Sequence, residues 1–278
     1  MAKGFKIAGV SILGLIIIGV LVVITGFKIS MKVKPVQIDD QLLVLEGGGG
    51  NSIILTSEDG SRAMVVDTKM GAAAKDMAAR VKARDILVVN THLHVDHTGG
   101  NRLFPDATVI SGAYTKDQWK ALSKKTKYPD ILIESGQDTA FTIGSETVHL
   151  RNMGGAHSWN DVIVYLENRK FLMTGDLIFR HMHPALFVQG GSSVPSWIAA
   201  LDTLINDYQA SRVLPGHGSL SDKNALLEMK DYFVTVRDAV GNPEKLAAAK
   251  EKFKDYHSIP VLTGFDKVVS FIEGEGKK

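Results

Sequence analysis

Apolar and polar positions along the chain alternate between short extended runs and longer helical stripes. Runs rich in aliphatic residues and bounded by polar or turn residues are typical of strands. The first of these runs are QLLVLEG, NSIILTS and RAMVVDT. A helix is predicted from Gly71 to Ala83, where Ala73, Met77 and Val81 share one apolar face. The strand DILVVN follows, and a short helix is predicted after His97.

The second half continues the same alternation. Helices are predicted over 116–124, around Trp197–Tyr208 and around Leu226–Val240, with two more helical stretches before the polar tail EGEGKK. The predicted strands are ATVIS, FTIG, ETVHLRNM, DVIVYLE, KFLMTGD and SRVLPG. Mixed strands and helices predict an α/β or α+β domain. We place this domain at 36–278, after a linker that contains Lys34 and Pro35.

The N-terminal stretch has a different pattern, because residues 7–27 (IAGVSILGLIIIGVLVVITGF) carry no charge. A helix of this length spans the roughly 30 Å hydrocarbon core of a bilayer. We therefore predict that 1–35 is a membrane anchor and linker. A cleaved signal peptide is the alternative, although the apolar run is long for one. Flanking lysines are nearly balanced, and the simpler topology puts the globular domain outside the cytoplasm.

Composition narrows the choice of chemistry. The chain has 278 residues, a net charge of +2 and no cysteine, which excludes disulfides and thiolate metal sites. The sequence has no basic run, so we expect no nucleic-acid partner. It also lacks the G-x-S-x-G motif of many serine hydrolases.

The segment NTHLHVDHTGG, directly after the strand DILVV, concentrates ligand-type side chains. Imidazole and carboxylate groups suit zinc. On an extended segment His92 and His94 point to the same side, whereas Asp96 and His97 lie where the chain turns. This spacing divides the four groups into two ligand sets and suggests two neighbouring metals.

Three more ligand-type residues lie at the tips of predicted strands, each beside a glycine. They are His157 in NMGGAHSWND, Asp176 in FLMTGDLIF and His217 in RVLPGHG. Loops on a rigid scaffold are common places for functional sites. These residues are therefore candidates to complete the ligand sets.

The motif THLHVDHTGG, followed in order by GGAHS, TGDLIF and LPGHG, resembles the signature of the metallo-β-lactamase superfamily. The resemblance covers about 36–221. It implies a four-layer αβ/βα sandwich with metals at one edge. It also implies a first metal at His92, His94 and His157, a second at Asp96, His97 and His217, and Asp176 as a bridge between them.

The same resemblance implies a hydrolase with two divalent metals, with zinc as the default and iron or manganese as alternatives. Two neighbouring dications lower the pKa of a shared water and yield a hydroxide nucleophile. Asp96 would orient this nucleophile and pass a proton to the leaving group.

The residue at position 176 bears on the substrate. The β-lactamases of the superfamily would have cysteine or serine there, whereas a bridging aspartate is similar to the thioesterase, lactonase and phosphodiesterase branches. We expect a small ester, thioester or lactone as substrate. The alternatives are an iron-dependent persulfide dioxygenase-like enzyme, a β-lactamase activity, and a non-catalytic anchored binding protein.

Two further segments allow either a functional or a plain structural interpretation. Arg180, His181 and His183 could contact an anionic substrate group or belong to a solvated surface loop. The glycine-rich EGGGGNS at 46–52 could cover the metals or form a simple hairpin turn.

Overall fold

The structure is a computed structural model and describes residues 32–123 and 126–276. The span predicted at 7–27 lies outside the described residues. Among the residues that are described, no helix combines the length and the apolar character needed to cross a membrane.

The first sheet has seven strands in sequential order. The first four form an antiparallel meander, and the last four are parallel because helices cross between them. The strands are β1 (Val33–Gln37), β2 (Leu42–Gly47), β3 (Ser52–Thr56), β4 (Arg62–Val66), β5 (Asp85–Val89), β6 (Thr108–Gly112) and β7 (Ile131–Ile133). The crossing helices are α1 (Gly71–Arg80), the short α2 (Val95–Thr98) and α3 (Lys116–Leu122).

The second sheet has five strands in the order β12-β11-β10-β9-β8. The strands are β8 (Asp138–Ile143), β9 (Glu146–Asn152), β10 (Val162–Leu166), β11 (Phe171–Met173) and β12 (Arg212–Leu214). All neighbours are antiparallel except β11 and β12, which α4 (Val194–Asp207) connects in parallel. The remaining helices are α5 (Asn224–Ala239), α6 (Pro243–Lys252) and α7 (Phe265–Glu275).

The two sheets pack face to face around the central core. Side chains such as Val44 and Met64 of the first sheet lie in one buried cluster with Val164 and Phe171 of the second. A second cluster packs Met77 of α1 on the outer face of the first sheet. A third packs helices α4 to α7 on the outer face of the second sheet. These layers form the expected αβ/βα sandwich, with mixed strands and helices as predicted.

Two local predictions were wrong, and one short strand was not predicted. The predicted linker Lys34–Pro35 belongs to β1, where Pro35 lies opposite Leu45. Because β1 is an edge strand, the missing proline N–H breaks no inner ladder bond. The short edge strand β7 has too few residues to give a periodic signal. The helix expected after His97 begins at Val95, so His97 is inside it.

Candidate metal centre

The predicted ligands converge at one edge of the sandwich because each follows the end of a strand or lies in an interstrand loop. His92 to His97 follow β5, and His157 lies between β9 and β10. Asp176 follows β11, and His217 follows β12. Both sheets therefore contribute side chains to the same site, although these residues are far apart in sequence.

One group of possible metal ligands comprises His92, His94, His157 and Asp176. The Nδ1 atom of His94 lies 2.9 Å from Nε2 of His92 and 2.9 Å from Nε2 of His157. The Oδ2 atom of Asp176 lies 3.3 Å from Nε2 of His157. Three imidazole nitrogens and a carboxylate oxygen thus face a common point.

A second group comprises Asp96, His97 and His217. The Nε2 atom of His217 lies 3.4 Å from Oδ2 of Asp96 and 3.3 Å from Oδ2 of Asp176. The Oδ1 atom of Asp176 lies 3.1 Å from Nε2 of His97. Asp176 therefore contacts both groups, which is the placement expected of a bridging ligand.

The ligand-type atoms are arranged better for binding a metal than for hydrogen bonding with one another. Nε2 of His97 and Oδ1 of Asp176 are buried, and neither has a hydrogen-bond partner with acceptable geometry among the described residues. Buried polar atoms are rarely left unpaired. Two cations coordinated by these atoms would satisfy both, and the set of imidazoles and carboxylates is one that zinc accepts.

The pKa shifts of the first group favour the protonation states in which these side chains can bind a metal. Burial lowers the pKa of His157 to about 3, and it also lowers the pKa of His92 and of His94. Burial acts to raise the pKa of Asp176, but the surrounding histidines outweigh it and hold this pKa well below its ordinary value. Neutral imidazoles and an ionised carboxylate are the forms that bind a metal.

The second group lies closer to negative charge. Burial acts to lower the pKa of His217, but Asp176 and Asp96 outweigh it and raise this pKa to about 9. A proton on His217 must therefore leave before a metal binds, so binding at this group should release protons.

Asp67, at the end of β4, is a positioning residue that the sequence analysis missed. Its Oδ2 atom lies 2.7 Å from Nδ1 of His97, and its carboxylate also accepts hydrogen bonds from the backbone and hydroxyl of Thr91. A carboxylate on one imidazole nitrogen fixes the ring and directs the other nitrogen to the site. Asp67 ends an apolar strand run, the same signal that identified Asp176.

The loop that carries His157 is held by Asp161, a second residue missed at first. The buried carboxylate of Asp161 accepts hydrogen bonds from the backbone N–H groups of Ala156, His157 and Ser158, at 3.1, 2.8 and 3.0 Å. The Nδ1 atom of His157 lies 3.2 Å from the carbonyl oxygen of Ala185. Donation to this carbonyl leaves Nε2 of His157 free to face the cluster.

The glycine-rich segment connects β2 to β3 and also lies against the site. A Cβ atom on Gly50 would lie 2.3 Å from Cε1 of His97, so no larger residue fits there. The ammonium of the fully buried Lys69 donates to the carbonyl oxygens of Leu45, Gly47 and Gly50 and holds this loop in place. The segment is thus both a hairpin connection and a wall of the site.

The three charged or polar candidates that follow Asp176, which are Arg180, His181 and His183, do not line the cavity at the ligands. His183 is buried, and its Nδ1 atom lies 2.7 Å from the hydroxyl oxygen of Tyr232. His181 is exposed, and its Nε2 atom lies 3.6 Å from Oε2 of Glu228. Neither they nor Arg180 is among the residues that line this cavity. Their positions favour the structural interpretation.

Two curated proteins have sequences similar to part of this chain. The chain is 25% identical over 153 residues to a metallo-beta-lactamase type 2 of Bacillus cereus, covering 55% of this chain and 59% of that protein. It is 33% identical over 135 residues to an atrochrysone carboxyl ACP thioesterase of Cryptosporiopsis sp., covering 47% of this chain and 36% of that protein. The chain therefore spans less than two thirds of the length of either relative.

Solved structures share the fold at low sequence identity. A metallo-beta-lactamase from Pontibacter korlensis superposes with a TM-score of 0.63 at 21% identity, covering 73% of this chain and 99% of that one. A sec-alkylsulfatase from Pseudomonas sp. superposes with a TM-score of 0.68 at 15% identity, covering 87% of this chain and 50% of that one.

The expected family is confirmed by a match over residues 45–231, more than half of the chain, to the family model of the metallo-beta-lactamase superfamily. This segment contains both groups of possible metal ligands. It also contains strands β3 to β7 of the first sheet and all five strands of the second sheet. The chain belongs to the metallo-beta-lactamase superfamily.

Proposed function

We propose that the protein is a binuclear metal-dependent hydrolase that cleaves an ester, thioester or lactone bond. The observation that carries this proposal is the placement of Asp176 between two groups of buried ligand-type side chains. A single-metal redox enzyme would not need the second group, and a binding protein would not need either.

The two ligand groups would have separate tasks. His92, His94 and His157 would hold one metal, whereas Asp96, His97 and His217 would hold the other. Asp176 would contact both, and zinc is the metal that we propose. When bound, such a pair of metals supplies an activated water and polarises a substrate carbonyl oxygen.

Asp96 is the residue that we assign to proton transfer. Its side chain is 22% exposed, whereas His97 and Asp176 beside it are almost fully buried. Burial acts to raise the pKa of Asp96, but His97 and His217 outweigh it and keep the carboxyl ionised. An ionised carboxylate at the mouth of the site can accept a proton from an attacking water and deliver it to a leaving group.

The proposed bond class has two supports. An aspartate occupies position 176 in a chain without cysteine. In addition, one relative is named as a thioesterase. The metallo-beta-lactamase relatives make β-lactams the alternative substrates that any assay must include.

We also propose that the chain is anchored to a membrane through residues 7–27 and acts outside the cytoplasm on a small molecule. The uncharged sequence of this segment supports the proposal.

A hydrolysis screen on protein of measured zinc content tests the function. The panel contains esters, thioesters, lactones, β-lactams and phosphodiesters. We expect turnover of at least one of the first three classes and a metal content near two per chain. We expect Asp96→Asn to reduce kcat by roughly 10²- to 10⁴-fold, because it removes the proton-transfer group.

Asp106→Asn is the matched control, since this exposed aspartate lies away from the cluster. Full activity in Asp96→Asn would refute the assigned role. A metal content of one would favour the redox alternative, turnover of β-lactams alone would favour a β-lactamase, and no turnover of any class would favour a binding protein.

A further inference from the structure

We propose that an apolar groove beside the metal centre binds the acyl chain of the substrate, which makes the substrate a medium- or long-chain acyl ester or thioester. This inference rests on the proposed hydrolase function and names the substrate class that the small-molecule expectation leaves open.

The cavity at the metal ligands is lined by apolar side chains apart from the ligands themselves and one threonine. It has a volume of about 240 Å³. Its lining beyond the ligands comprises Val95, Leu122, Phe179, Ala185, Phe187, Ile259, Leu262 and Thr263. No lysine or arginine lines it among the described residues.

A second cavity lies beside this one, and two side chains line both. Phe187 and Leu262 line both the ligand cavity and a neighbouring cavity of about 620 Å³. The ring of Phe187 lies 5.1 Å from the imidazole of His94, which places it directly beside the first ligand group. The second cavity therefore borders the site at Phe187 and Leu262.

Six of the nine residues that line the second cavity are apolar. Pro184, Leu186 and Phe271 line it together with the shared residues and Val261. Its remaining lining residues are Asp266, Lys267 and Ser270. A chain of methylene groups fits such a surface, since its transfer from water gains free energy with every buried group.

The exposed apolar residues of the protein concentrate at this groove. Seven large apolar side chains are exposed among residues 32–123 and 126–276, and four of them line one or both cavities. Of these four, the most exposed are Val261 at 86% and Leu262 at 53%. Contiguous exposed apolar surface commonly marks a binding site. Its position beside the proposed metal ligands, across Phe187 and Leu262, favours the substrate as the occupant.

The test uses the zinc-loaded full-length chain with thioesters that share one leaving group and carry acyl chains of two to ten carbons. We expect kcat/KM to rise roughly two- to fourfold per added methylene until the groove is filled. Leu262→Ser should flatten this dependence and reduce kcat/KM for the ten-carbon substrate at least tenfold, a larger reduction than for the acetyl substrate. Leu227→Ser is the matched control, because Leu227 is 47% exposed and lines neither cavity.

Binding of decanoate and acetate to the same proteins, measured by calorimetry, separates the two proposals. Hydrolysis that is independent of chain length and unaffected by Leu262→Ser would overturn the groove and leave the hydrolase function intact. Decanoate binding that Leu262→Ser weakens, without hydrolysis of any substrate, would support the groove and refute the hydrolase function. Decanoate binding no tighter than that of acetate would overturn the groove in either case.

Discussion

Replacing Lys69 with methionine should destabilise the protein although this lysine is not among the proposed metal ligands. Methionine keeps an unbranched apolar stem of similar length but removes the ammonium that donates to Leu45, Gly47 and Gly50. The side chain is fully buried, so water cannot replace these bonds in the folded state.

The magnitude follows from two opposing contributions. Hydrogen bonds to a charged donor contribute about 1.5–3 kcal/mol each, and the distances of 2.9 Å to Leu45 and 2.7 Å to Gly50 are those of strong bonds. The substitution also removes the cost of burying the ammonium charge, which offsets several kcal/mol of the lost hydrogen-bond energy. We expect the free energy of unfolding to fall by about 2–4 kcal/mol.

The loss should also depend on pH. Burial lowers the pKa of Lys69 to about 7, and Asp67, Asp96 and Asp76 act against it. The unfolded chain, with an ordinary lysine pKa of 10.5, therefore binds more protons than the folded chain between these two values. Stability of the wild type rises with pH in this window, whereas Lys69→Met lacks this contribution. The difference in unfolding free energy should widen from pH 7 to pH 9.

Denaturant titration of the zinc-saturated proteins, followed by circular dichroism, measures both effects. Lys75→Met is the matched control, because Lys75 lies on the exposed face of α1. An unfolding free energy of Lys69→Met within about 0.5 kcal/mol of the wild type, the usual range for surface substitutions, would refute the reasoning.

Three other changes have defined outcomes. Asp67→Asn should lower metal affinity or activity about 10- to 100-fold, because it weakens the support of His97; equal zinc titration curves for variant and wild type would contradict this. Removing metal with a chelator should lower the melting temperature by roughly 5–10 °C, because a ligand present at about 100 times its Kd stabilises the folded state by this much. An unchanged calorimetric transition would count against a metal centre. Deleting residues 1–31 leaves β1 intact and should move the protein from the membrane fraction to the soluble fraction; continued sedimentation with membranes would show that the anchor proposal is wrong.

Much of the fold was predictable because most of its strands are continuous apolar runs and its helices have clear apolar faces. The run RAMVVDT and the stripe through Leu226, Met229 and Phe233 each correspond to an element of the structure. The exceptions depend on partners that a local pattern cannot show. β7 has three residues and exists because it pairs with β6, and Pro35 is tolerated because β1 is an edge strand.

The seven predicted ligands were identifiable from residue type and from their positions at strand ends, and the structure brings them together. The residues that hold them were not identifiable in the same way. Asp161 precedes a strand and acts through backbone groups, and Lys69 acts on a loop about twenty residues earlier in the chain. Their roles follow from tertiary contacts between segments distant in sequence, and a single sequence contains no direct signal of such contacts.

The outer wall of the groove comes from the turn between α6 and α7, downstream of the last proposed ligand at His217 and outside the family-matched segment, which ends at residue 231. Selection or engineering can therefore alter this turn without replacing any of the proposed metal ligands. If the proposed acyl-chain groove is correct, grafting the turn from a relative with different side chains at positions 259–263 should change which acyl chains the protein accepts.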